Sequence, residues 1–72
     1  MFDYSKLLRR IRECFGEPDV FAKAMGLSEQ AVSLKLQGQR EWAQDEMFRC
    51  CDVLQLPYTE IPNYFFVLNI KE

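Results

Sequence analysis

The chain has 72 residues, 49% of them hydrophobic and 14% aromatic, enough for one small core and too few for a second domain. Nine Lys plus Arg against eleven Asp plus Glu leave a net charge of −2. That excludes a polar disordered chain and a strongly basic peptide that binds nucleic acid through bulk charge. Histidine is absent, which removes the commonest general base and the commonest zinc ligand together.

Glycines divide the chain into short helical units. Leu7, Leu8, Ile11, Cys14 and Phe15 recur at helical spacing, with Asp3 or Ser5 available as a cap and Gly16 as a stop. Arg9, Arg10 and Arg12 read as the solvated face of that helix. A second unit starts at Pro18, with Glu17 and Asp19 suited to its positive end, and runs through Phe21, Ala22 and Met25 to Gly26. Ser28 then reads as the N-cap of a third helix, with Glu29 in its first turn, Val32 and Leu36 inward, and Gly38 beyond its end. Trp42 leads into a fourth helix over about 44–54, where it is expected to pack over the third and fourth helices. Its apolar stripe is Met47, Cys50 or Cys51, and Leu54; Asp45 and Glu46 compensate the helix dipole rather than form an acid–base pair.

Beyond Leu56 and Pro57 the pattern changes. The two prolines Pro57 and Pro62 leave room for one short helical turn, around 59–61. The aromatic and β-branched run 64–70 reads as a terminal strand, which needs a partner and so raises the expectation of a homodimer through the tail at 64–72.

The three cysteines, Cys14, Cys50 and Cys51, form neither a disulfide framework nor a metal motif, and read as free thiols that act as small hydrophobes. The first residues lack the pattern of a secretory signal, and no apolar run reaches the roughly 20 residues of a membrane span. A cytoplasmic protein with no metal and no cofactor is expected.

The unit at about 18–37 carries the functional signal. Two short helices joined by a turn containing Gly26, with Ala22 small enough for a close crossing, form a helix-turn-helix pattern within one domain over 1–72. The runs Phe21-Ala22-Lys23-Ala24-Met25-Gly26-Leu27-Ser28 and Val32-Ser33-Leu34-Lys35-Leu36-Gln37-Gly38, followed by Trp42 and Asp45-Glu46-Met47, resemble the Cro/repressor helix-turn-helix family. More narrowly, the chain resembles the small Cro-like regulators of temperate phages of Gram-positive hosts. In length and acidity it is similar to their modulator-of-repression antirepressors.

The resemblance implies an all-α fold of five short helices, the lambda-repressor-like DNA-binding domain, with the third helix as recognition helix. By position, the outward residues of that helix are Ser28, Glu29, Gln30, Ser33, Leu34 and Gln37, and the flanking basic contacts are Lys23, Lys35 and Arg40. Two partners stay open. Gln30 suits an adenine edge, as in a Cro-like repressor that binds operator DNA. Glu29 and Leu34 suit a protein surface better, and the acidic balance works against phosphate. The favoured reading is a non-enzymatic antirepressor of a phage lysis–lysogeny switch whose partner is the DNA-binding domain of the lysogenic repressor.

Overall fold

In the computed structural model, which describes residues 2–68, the chain runs α1 (Ser5–Phe15), α2 (Pro18–Met25), α3 (Glu29–Leu36), α4 (Gln44–Leu54), a 3-10 turn (Tyr58–Glu60) and α5 (Ile61–Phe65). Each boundary has a local cause. The Asp3 carboxylate accepts the Ser5 N–H at 2.9 Å and opens α1. Pro18 occupies the first turn of α2, where its missing N–H costs nothing. Gly26, at φ 73°, ends α2 in the left-handed conformation, and the Leu27 N–H returns to the Ala22 carbonyl at 2.9 Å. The Ser28 hydroxyl accepts the Ala31 N–H at 3.0 Å and opens α3. At α4, Glu46 reaches back to the Ala43 N–H at 2.9 Å; Ala43 has no side-chain oxygen to return the bond, so this is half of a capping box.

One core unites these helices. Leu7, Ile11, Phe21, Ala22, Met25, Val32, Cys50, Leu54 and Phe65 are almost fully buried, and Leu27, Leu36 and Met47 pack partly buried against them. Two arginines tie helix ends across the core. Arg10 donates to the Leu54 carbonyl at the end of α4 (2.9 Å from Nη2), and Arg49 to the Met25 carbonyl at the end of α2 (2.8 Å). Each supplies a donor to a carbonyl that has no partner within its own helix, at the negative end of that helix. Arg10 is therefore a structural strut, unlike the exposed Arg9 and Arg12.

The end of the chain differs from its sequence pattern. Tyr64 and Phe65 complete α5, and no strand is assigned among the described residues. Leu68 makes an isolated antiparallel bridge to Phe2, supported by the Asp3 N–H on the Val67 carbonyl at 2.7 Å. Pro62 sits in the first turn of α5, so it starts a helix where it was expected to end one. Burial then decides the conformation of Phe65. Its ring lies against Trp42 with centroids 5.4 Å apart, and this contact outweighs the weak strand preference of an aromatic residue. The expected strand residues Asn69 and Ile70 lie outside the described residues.

Trp42 also belongs to this end of the core. It meets Tyr4 and Phe65 edge to face, with Lys35 of α3 over its ring. No helix among the described residues is long and apolar enough to cross a membrane.

Candidate recognition surface

The sequence of α3 places Ser28, Glu29, Gln30, Ser33 and Gln37 in solvent and Leu34 half-buried, as expected for an outward face. Gln37 donates to the Ser33 hydroxyl at 3.1 Å, four residues back, so two of the outward polar groups are bonded to each other.

Glu29, Gln30, Ser33 and Leu34 form one wall of an open groove of about 410 Å³. The opposite wall is the start of α2: Glu17, Pro18 and Asp19. Three carboxylates thus line the groove, no Lys or Arg does, and Leu34 supplies its apolar surface. Among the described residues, neither Glu17, Asp19 nor Glu29 is in an ion pair. Like charges around a groove add their potentials, so this face attracts cations and repels phosphate. In the sequence, Glu17 and Asp19 read only as acids suited to the helix dipole. Each helix start carries its acid in plain view, but the convergence of two starts on one groove is set by tertiary packing.

The flanking basic set is smaller than expected. Lys23 and Arg40 are exposed. Lys35 is not a flanking contact: its residue is only 8% exposed, and its ammonium is 2.8 Å from Glu46 Oε1 and 3.0 Å from the Glu41 carbonyl. It also lies 5.7 Å from the centre of the Trp42 ring. A charge buried this far has to be paired, and Lys35 is spent on holding α3 to α4. Arg40 lines a separate aromatic cleft of about 410 Å³ with Phe2, Tyr4, Trp42, Met47, Phe65 and Phe66.

Burial pushes both the Cys50 and Cys51 thiols up, Cys50 strongly, so they stay protonated. No group of three or more Cys, Asp or Glu suited to a metal ion occurs among the described residues.

A small all-helical domain that carries a helix-turn-helix, with an acidic groove beside its third helix, defines the class: a helix-turn-helix domain. The sequence pattern of the family described as "Protein of unknown function (DUF739)" matches residues 1–67, and the chain belongs to that family. Among solved structures, the chain is similar to the solution structure of the modulator of repression (MOR) of the temperate bacteriophage TP901-1 from Lactococcus lactis. The two share 49% identity over 90% of this chain and 88% of that one, with a TM-score of 0.80. No curated protein matches.

Proposed function

We propose that the chain is a non-enzymatic antirepressor of a temperate-phage lysis–lysogeny switch. Its helix-turn-helix surface binds the DNA-binding domain of the lysogenic repressor and so blocks operator binding. The observation that carries this reading is the sign of the recognition face. Glu17, Asp19 and Glu29 surround an apolar Leu34 in one groove, where a DNA-reading member needs cations. A repressor's operator-binding surface is basic by necessity, and a negative groove with an apolar contact is complementary to it. The similarity to a modulator of repression supports the same reading.

The rival is direct operator binding through Gln30 and the exposed Lys23 and Arg40. With Lys35 buried in an internal pair, few cations remain near α3 to neutralise phosphates. Leu68 bridges to Phe2 of its own chain, so the reading does not call on a homodimer through the tail. The bacterial cytoplasm, where repressor and operator meet, is the place of action this reading requires.

A gel-shift titration tests it. The chain alone should leave operator DNA unshifted, and adding it to a preformed repressor–operator complex should release free DNA. A direct shift of operator by the chain, with no effect on the repressor, overturns the reading in favour of the Cro-like one.

A further inference from the structure

Away from the recognition groove, two aromatic side chains stand in solvent and are held in place there. Phe48 of α4 is 46% exposed and Tyr58 of the 3-10 turn is 51% exposed. Their rings meet edge to face, with centroids 4.9 Å apart and planes at 81°. The Tyr58 hydroxyl donates to Asp52 Oδ1 at 2.7 Å, which fixes the ring relative to α4. Such a pair keeps its hydration cost in the free protein and has little conformational freedom left to lose on binding, which favours an anchor for a partner.

Charge indicates which partner. Asp52 uses one carboxylate oxygen for Tyr58 and takes part in no ion pair among the described residues. Asp45 lies one turn before Phe48 on α4, with its side chain 74% exposed. The neighbouring cation, Arg49, is committed elsewhere, to the Met25 carbonyl at 2.8 Å and to Asp45 at 3.5 Å. The chain uses aromatic–cation contacts at two other places: Lys6 lies 4.9 Å from the Tyr64 ring centre and Lys35 lies 5.7 Å from that of Trp42. Phe48 and Tyr58 offer the same chemistry beside a carboxylate, with no cation of the described chain over them.

We propose that Phe48, Tyr58 and Asp52 form a second docking site, which takes an arginine side chain from a basic segment of a protein partner. Arginine fits better than lysine. Its planar guanidinium lies flat on an aromatic ring while its N–H groups reach the free oxygen of Asp52, and an ammonium cannot do both. The site is built on α4 and the 3-10 turn, apart from the α2–α3 groove, and does not depend on what that groove binds.

The probe is the peptide acetyl-Arg-Gly-Arg-amide, titrated into isotope-labelled full-length protein and followed by NMR. Its control carries citrulline, a neutral isostere, in place of arginine. Saturable shifts at Phe48, Asp52 and Tyr58 are expected with arginine and not with citrulline. Asp52→Asn and Phe48→Ala should each weaken binding about 2–5-fold at this site, the range for an exposed ion pair and for an exposed cation–π contact respectively. Both positions are exposed, and unchanged signals from Leu7 and Phe21 verify the fold of each variant. Equal response to both peptides overturns the proposal, as does binding that neither substitution weakens. Self-association that Phe48→Ala abolishes assigns the face to a second copy and overturns it too.

Discussion

A lysine ammonium inside a small core has to be held by several acceptors at once, and Lys35 is held by two, with an aromatic ring beside them. Its partner Glu46 also accepts the Ala43 N–H. Burial alone pushes the Glu46 carboxyl up. The hydrogen bonds from Lys35 and Ala43, with the charges of Lys35 and Arg49, outweigh that and hold its pKa below the usual carboxylate value. A group whose folded pKa is depressed contributes stability above its unfolded pKa and loses it as pH falls through the folded one. Thermal unfolding followed from neutral pH into acid should show that loss beginning near the ordinary glutamate range and continuing below it. The Glu46→Gln protein should lack this component. Lys35→Met alone should cost about 1–3 kcal/mol by removing one partner of Glu46, and the double substitution less than the sum of the two single ones. The thiols offer a check of another kind. Cys14 is exposed, whereas Cys50 and Cys51 are buried with raised pKa values. Alkylation of the native protein should mark Cys14 alone, and unfolding should release the other two, as mass spectrometry of the labelled chain will show.

At the scale of the elements, α3 is pinned by few side chains. Val32 is fully buried and Leu36 half-buried, so Val32→Ala should cost about 1–3 kcal/mol as transfer and cavity terms combine. Unchanged thermal stability in both Val32→Ala and Leu36→Ala would mean that α3 does not seat on the core through this face. Helices α1 to α3 were legible because Gly16, Pro18, Gly26 and Ser28 each impose a local conformation that needs no tertiary partner. Lys35 was misread because a helical stripe of Val32, Lys35 and Leu36 contains one charged residue, and a lysine in sequence gives no sign that Glu46 waits eleven residues on. Tyr64 and Phe65 were misread for the opposite reason. Residues with strand preference were placed in a helix by the contact of Phe65 with Trp42, which no local pattern encodes.

At the scale of the whole molecule, a net charge of −2 says little until its distribution is known. The outward residues of α3 could be read from the chain, but their electrostatic setting could not, because it depends on Glu17 and Asp19 arriving across the groove. That setting makes one substitution decisive. Glu29→Lys reverses a charge at the groove without touching the core, since Glu29 is exposed in the first turn of α3. Opposite a basic repressor surface it sets like charges against each other, and a central contact of this kind is worth about 2 kcal/mol. The complex should weaken accordingly, and Leu34→Ala should weaken it too by removing apolar contact. Opposite operator DNA the same lysine adds a phosphate or base-edge contact, so binding should tighten and its salt dependence should steepen by a slope of about one. Affinities of wild-type and Glu29→Lys proteins for repressor and for operator, each measured at two salt concentrations, give opposite signs under the two mechanisms. A Glu29→Lys protein that binds operator more tightly than wild type, and still displaces the repressor at the wild-type concentration, sinks the antirepressor reading.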